Sequence, residues 1–272
     1  MLVFKILLAA IIVIGLAELA ERSSTKMAGL LAGLPVGSAL VLFFYGLDYG
    51  TDFVAQVTPY NLLGLSASLS FVSMYYVGSK LSERYSMVSG LGFGLVAYLV
   101  VAYALSYLHL DTTLIPGLML LSFILITHIW FKEIRDVRGE KSGRLNLYQM
   151  LGRGVIATVF VLLASYSPYV FGDNMAGILS SFPSALLPLL LIIHASQGRD
   201  VVHSVIKYLP LGYVGVMIYS VSVGYLYGDF GIYIGTLLAL VISTSYLVLL
   251  LSLSHFKSKR AQKALAKQTI SH

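Results

Sequence analysis

Long apolar runs separated by short polar stretches recur along the whole chain. Nine of these runs are close to the about 20 residues that a helix needs to cross the hydrocarbon core of a membrane. They predict an all-α polytopic membrane protein with nine transmembrane helices, at residues 2–20, 27–47, 57–78, 86–108, 112–131, 147–170, 175–195, 208–227 and 231–254. The stretches between them are too short to form a soluble domain.

The chain also repeats itself at an offset of 148 residues. From 27 to 78, 13 positions are identical to the residue 148 positions later, where composition alone predicts about four. The glycine and proline matches are the most informative, because these residues fix the backbone geometry. The matched positions include Met27-Ala28-Gly29, Pro35, Gly50, Asp52, Tyr60, Gly64 and Tyr98-Leu99-Val100. We expect two four-helix repeats at 1–108 and 147–256, a linking segment at 109–146 and a tail at 257–272.

Composition agrees with a membrane protein. Of the 272 residues, 58% are hydrophobic and 11% are charged, whereas a soluble domain carries about 25% charged residues. The chain contains no cysteine, which excludes disulfides, thiolate metal sites and a cysteine nucleophile. The first 20 residues also fit a cleavable signal peptide. We favour a spanning helix there, because Lys5 aligns with Arg153 and Ala9 with Ala157 in the repeat.

The basic residues indicate how the chain lies in the membrane. With nine spans, 17 of the 18 lysines and arginines fall on one face and only Lys5 falls on the other. The positive-inside rule makes the basic face cytoplasmic, with the N-terminus outside, as expected in a prokaryotic inner membrane. Without a span at 112–131 the same residues divide 14 to 4. Because each repeat has four spans, the fifth span inverts the second repeat, which gives a 4+1+4 arrangement of inverted-topology repeats.

One stretch of the second repeat is similar to a known group of proteins. The residues are Ala176-Gly177-Ile178-Leu179-Ser180-Ser181-Phe182-Pro183-Ser184-Ala185-Leu186, followed by His194 and Gly198-Arg199-Asp200. They resemble the small four-span bacterial inner-membrane proteins of the GlpM and YdgC type. The resemblance implies a fused, internally inverted version of a dimer of such units, and it implies a link to exopolysaccharide production. Gly46 stands in the first repeat where His194 stands in the second, so a role for this histidine is not symmetric.

The prolines of the repeat are the main candidates for a site. Pro35 and Pro183 lie eight residues into their spans, which places each about 12 Å deep, near the centre of the membrane. Each proline frees a carbonyl four residues earlier, at Leu31 and Leu179. We expect a pair of broken helices that bind substrate through this region, with Ser38 and Ser184 nearby. The alternative is a pair of kinks with small residues for close helix packing.

Further polar residues have two interpretations each. Tyr98 and Tyr246 occupy equivalent mid-helix positions, where their hydroxyls bind either a substrate or a neighbouring helix. Asp52 and Asp200 each follow a glycine by two residues and are either gating residues or ordinary turn residues. Two titratable residues, Glu18 and His194, are candidates for proton or ion coupling, or for interfacial positions without a function.

The basic loop at 132–146 and the basic tail flank predicted spans. We assign them to topology and to contact with anionic lipid head groups, and not to nucleic acid. The sequence shows no metal-ligand spacing, no cofactor motif and no catalytic set, so we do not expect an enzyme. We expect a transporter or channel-like permease for a small solute or ion, between the two repeats. The alternative is a non-transporting scaffold for polysaccharide or lipid biosynthesis. The sequence leaves the oligomeric state open; a monomer suffices if the repeats form an internal pseudo-dimer.

Overall fold

The computed structural model describes residues 2–21, 27, 29–30, 34–110, 112–137 and 147–270, and all regular structure in these ranges is helical. Within them, no side chains are described for residues 2, 13–14, 16–21, 147–151, 153–154, 156–157 and 253–270. The helices are α1 (Leu2–Glu21), α2 (Val36–Tyr49), α3 (Thr51–Leu81), α4 (Ser86–Ser106), α5 (Leu114–Phe131), α6 (Leu147–Leu179), α7 (Leu186–Gln197) and α8 (Arg199–Ile270).

Several of these helices have the length and apolarity of a membrane span. Four helices of the described chain meet both conditions: Thr51–Leu81, Ser86–Ser106, Leu114–Phe131 and the Arg199–Ser252 part of α8. Shorter apolar helices occupy Val3–Ile12, Val36–Tyr49 and Leu186–Gln197. The outer faces of α4, α5 and the second half of α8 expose many large apolar side chains, as expected of a surface in contact with lipid. The chain is therefore an all-α membrane protein.

Each of the nine predicted segments contains helix, but the boundaries differ from expectation in two ways. First, α6 and α8 each consist of two helices that meet at a glycine, Gly172 (φ 76°, ψ 173°) and Gly231 (φ 71°, ψ 177°). Glycine adopts such a backbone readily, so one residue is enough to separate two helices. Second, the predicted spans 27–47 and 175–195 are not continuous, because helix is interrupted around the proline of each.

The two interruptions have the same hydrogen bonds. In the first repeat, the Val36 N–H donates to the Leu34 carbonyl at 2.8 Å, and the Ala39 N–H donates to the Pro35 carbonyl at 2.6 Å. Both bonds recur 148 residues later, at 2.6 and 2.8 Å. Proline cannot donate a backbone hydrogen bond, so the preceding turn cannot continue through it. The sequence repeat is therefore also a repeat of local structure.

The connection from α2 to α3 is repeated as well. Gly50 lies between these helices with φ 93° and ψ 174°, and Gly198 lies between α7 and α8 with φ 87° and ψ 175°. Each glycine N–H donates to the carbonyl four residues earlier, at 3.0 and 3.1 Å. Asp52 and Asp200 lie in the first turn of the helix that follows, where a negative charge is favourable.

The two repeats exchange equivalent contacts. A Cβ atom at Gly29 would lie 2.5 Å from the Val205 carbonyl oxygen, and one at Gly177 would lie 2.7 Å from the Val57 carbonyl oxygen. Both residues of the second contact are 148 positions from a residue of the first. Reciprocal exchange of this kind is what an approximate two-fold axis requires.

Helix α3 and the first part of α8 occupy equivalent positions in the repeats and pack antiparallel. A Cβ atom at Gly224 would lie 2.9 Å from the side chain of Thr58, and Ser79 Oγ lies 2.7 Å from His203 Nε2. An advance of 21 residues along α3 is thus a retreat of 21 residues along α8. Most of α3 is buried, and it forms the centre of the bundle.

The linking helix α5 is held at both ends by equivalent tyrosines. The Tyr60 hydroxyl accepts the Leu110 N–H at 3.4 Å, just before α5. The Tyr208 hydroxyl donates to Asp136, just after α5. Tyr60 is buried within α3, so a place in an interfacial aromatic belt does not describe it. Residues 110 and 136 are equidistant from the middle of α5, which therefore lies across the approximate two-fold axis.

Lys5, the basic residue predicted to lie apart from the others, is buried in a pair with Asp48. The amine donates to the Asp48 carboxylate and lies 5.2 Å from the centre of the Phe44 ring. The Lys5 side chain is 7% exposed and that of Asp48 is 29% exposed. This ion pair joins α1 to the C-terminal end of α2.

Candidate functional site

A small cavity lies where the two interrupted helices meet. Its volume is about 40 Å³, enough for about three water molecules. The lining residues come from both repeats: Leu34, Pro35, Gly37, Ser38, Leu65, Ser181, Phe182, Pro183, Ser184, Ala185, Leu186, Tyr213 and Val216. Of the residues expected to bind substrate, Pro35, Pro183, Ser38 and Ser184 are thus brought together in one place.

Most of the lining consists of equivalent positions. Five pairs of lining residues are related by the 148-residue offset: Leu34 with Phe182, Pro35 with Pro183, Gly37 with Ala185, Ser38 with Leu186, and Leu65 with Tyr213. A surface built from both members of each pair lies on the approximate two-fold axis. The two halves of its wall have the same backbone but different side chains.

Two buried hydroxyls of the lining have no partner. Ser38 is 5% exposed and Ser184 is 4% exposed. Within the part of the chain that the structure describes, neither side chain forms a hydrogen bond. By contrast, the Ser181 hydroxyl donates to the Ile178 carbonyl at 2.8 Å. The cavity therefore holds two hydroxyls that are free to bind a ligand.

The carbonyl that Pro183 was predicted to free is occupied. The Leu179 carbonyl accepts the Phe182 N–H at 3.0 Å, as part of a tight turn that ends α6. Turns of this kind commonly satisfy the last carbonyls of a helix. The equivalent carbonyl, at Leu31, lies outside the described residues. The prediction of a free carbonyl at Leu179 was therefore wrong.

The two equivalent tyrosines lie outside the cavity lining. The Tyr98 hydroxyl donates to the Ile178 carbonyl at 3.3 Å, and the Tyr246 hydroxyl donates to the Leu211 carbonyl at 3.1 Å. Both bonds join neighbouring helical segments, which was the alternative to substrate binding. Tyr98 also packs edge-on against Phe182, with ring centres 5.0 Å apart, so it supports the cavity wall from behind.

The two aspartates lie far from the cavity. Asp52 and Asp200 are exposed, and Arg199 Nε lies 3.7 Å from the Asp200 carboxylate. From Pro35 to Gly50, 15 residues of mostly helical chain span about 22 Å. The geometry places both aspartates at helix–helix turns and gives them no contact with the cavity.

His194 is buried between the repeats. Its Nδ1 lies 2.8 Å from the Tyr75 hydroxyl and its Nε2 lies 2.8 Å from the Ser86 hydroxyl. One of its nitrogens donates and the other accepts, according to the tautomer. His194 does not line the cavity. The side chain of Glu18, the other candidate for ion coupling, lies outside the described residues.

Sequence reasoning missed two parts of this region. Leu65 and Tyr213 line the cavity, although neither is identical in the two repeats. Their shared distance of 15 residues from the glycine turn, the same as that of the prolines, is the signal that finds them. No group of three or more histidines and carboxylates suited to a metal occurs among the described residues.

No protein-family model matches this chain, and no curated protein or solved structure is significantly similar to it. The resemblance to the GlpM and YdgC type stays a sequence-based prediction. The size and chemistry of the cavity are the features that bear on function.

Proposed function

We propose that the protein is a permease or channel that carries a small solute or ion across the membrane through the cavity between its repeats. The observation that carries the proposal is a polar cavity lined by equivalent residues of two interrupted helices. Interrupted helices that face a shared site from two inverted repeats are typical of secondary transporters. A volume of about 40 Å³ restricts the ligand to an ion or a solute of a few atoms.

The proposal includes nine membrane crossings and inverted repeats. The reciprocal glycine contacts and the antiparallel packing of α3 on α8 support this arrangement. Two equivalent helices that run in opposite directions belong to repeats of opposite orientation. The distribution of basic residues supports a cytoplasmic C-terminus and an external N-terminus. An inner membrane of a prokaryote is the proposed location.

Single cysteines at the two helix–helix turns test the orientation. Because the chain has no cysteine of its own, an impermeant maleimide reports only the introduced residue. We expect Asp52→Cys to be labelled from outside intact cells, and Asp200→Cys to be labelled only after permeabilisation. Glu83→Cys, which is also exposed, is the control and should behave like Asp200→Cys. Labelling of positions 52 and 200 from the same side would contradict inverted repeats.

A flux assay with a cavity-filling variant tests transport itself. Proteoliposomes with the wild-type chain are expected to release or take up at least one member of a panel of small ions and few-atom neutral solutes. Gly37→Leu should reduce that flux at least tenfold, because a Cβ atom there would already lie 2.8 Å from Ser184 Oγ. Gly92→Leu is the matched control, since Gly92 is exposed and has no neighbouring atom within 4 Å.

Two results of this assay would contradict the proposal. One is a wild-type protein that leaves the liposomes as tight as protein-free ones across the whole panel. The other is a folded Gly37→Leu variant, with the same elution profile as wild type, that transports as fast as wild type.

A second candidate function is a non-transporting scaffold for a membrane-bound polysaccharide or lipid pathway. Close packing between the repeats favours it: Cβ atoms at Gly46 and Gly177 would lie 3.2 Å from Tyr227 and 2.5 Å from Tyr60. The absence of any charged side chain from the cavity lining also favours it, because ion-coupled carriers usually contain one. Tight liposomes in the flux assay are the result that this function predicts.

A further inference from the structure

We infer that the cavity between the repeats binds a small anion, either a halide or an oxyanion of a few atoms. The inference rests on the same cavity as the proposed transport function and adds the class of its ligand. It follows from the balance of hydrogen-bond donors and acceptors around the cavity, together with the direction of two helices.

The first observation is the pair of unpartnered hydroxyls. Ser38 and Ser184 are at least nine-tenths buried, line the cavity and have no hydrogen bond within the described part of the chain. A buried hydroxyl left without a partner costs about 1–3 kcal/mol. Each hydroxyl carries a proton that it can donate to a ligand. The ligand that satisfies both must therefore accept hydrogen bonds.

The second observation is that two helices begin at the cavity. Helices α2 and α7 have 14 and 12 residues, and their first N–H groups have no partner within the helix. Four residues of these first turns line the cavity: Gly37, Ser38, Ala185 and Leu186. The start of each helix carries a partial positive charge of about half a unit. Two such ends at one site favour an anion.

The third observation is that the acceptors nearby are already used. Four carbonyls of the cavity lining accept a backbone N–H, those of Leu34, Pro35, Phe182 and Pro183. The Ser181 carbonyl accepts a hydroxyl from α3. Carbonyl groups that are engaged in this way offer little to a cation, whereas the unpaired hydroxyls offer their protons to an anion. A cation also finds no carboxylate in the lining.

Binding to the purified full-length chain in lipid nanodiscs tests this inference directly. The probes are potassium chloride, bromide, nitrate and formate, compared with potassium gluconate at equal ionic strength, because gluconate is too large for the cavity. We expect a saturable rise in melting temperature with at least one small anion and none with gluconate, since a ligand that binds only the folded state stabilises it. The Ser38→Ala/Ser184→Ala double variant should weaken the affinity at least tenfold.

Ser245→Ala is the matched control, because Ser245 is exposed on α8 and bonds within its own helix. It should bind the anion as wild type does. No response to any small anion would overturn the inference, and so would an equal response in wild type and the double variant. Location of bromide in a crystal by its anomalous scattering, away from the cavity, would overturn it even if the double variant did not fold.

The outcomes separate this inference from the transport proposal. Saturable anion binding without flux in liposomes would contradict transport and support the anion site. Flux of a cation or a neutral solute, with no anion binding, would contradict the anion site and support transport.

Discussion

Gly64→Ala is expected to destabilise the folded protein by about 3 kcal/mol, because it forces extra volume into a packed interface that cannot yield. A Cβ atom at Gly64 would overlap Ser181 Oγ and the Ile178 carbonyl oxygen, and it would lie 2.8 Å from Ile178 Cα. The backbone there is fixed, since the Ile178 carbonyl also accepts the Tyr98 hydroxyl. Helix α3 would have to move away from the interrupted helix. The melting temperature of detergent-solubilised protein measures the effect.

Gly92→Ala is the matched control for this substitution. Gly92 lies within α4, is exposed and has no atom within 4 Å of an added Cβ. Alanine is favoured over glycine in a helix interior by about 1 kcal/mol, so this variant should melt at or slightly above the wild-type temperature. Equal melting temperatures for Gly64→Ala and wild type would show that α3 does not pack on the interrupted helix as described.

The second large effect concerns the ion pair between α1 and α2. Asp48→Ala should destabilise the protein by about 3 kcal/mol, because it leaves the Lys5 amine buried without its partner. Lys5→Ala should cost clearly less, since the Asp48 side chain is 29% exposed and water can reach it, whereas that of Lys5 is only 7% exposed. Thermal unfolding of the two single variants measures this asymmetry.

A double apolar substitution completes the test. Replacing both partners, as Lys5→Met with Asp48→Leu, removes the desolvation of two charges and should bring stability back to within about 1 kcal/mol of wild type. A double variant that is as unstable as Asp48→Ala would show that the charges themselves hold α1 in place. A larger loss for Lys5→Ala than for Asp48→Ala would contradict the burial of the amine.

Much of the local structure could be predicted from the sequence because it depends on local physics. The lengths of apolar runs predicted where helix occurs, and proline and glycine predicted where it stops. The 148-residue match placed Pro35 and Pro183 at equivalent depths, and the structure brings both to the same cavity. The serines followed from their closeness to those prolines along the chain.

Long-range partners could not be predicted in this way. His194 bonds Tyr75, which is 119 residues away, and Lys5 bonds Asp48, which is 43 residues away. No periodicity in a single sequence relates such positions. Equivalence did not help either, because Tyr98 and Tyr246 bond carbonyls at positions that are not equivalent. Side chains near each tyrosine differ between repeats, so each hydroxyl found its own acceptor.

The differences between the two walls of the cavity have a consequence for how such a protein can change over time. In an assembly of two identical chains, every substitution occurs twice and both walls stay alike. Here Leu65 faces the cavity from one repeat and Tyr213 from the other, and α5 joins the repeats into one chain. A single inheritable change can therefore alter one wall alone, and the site can acquire a chemical polarity that no symmetric pair of chains can have.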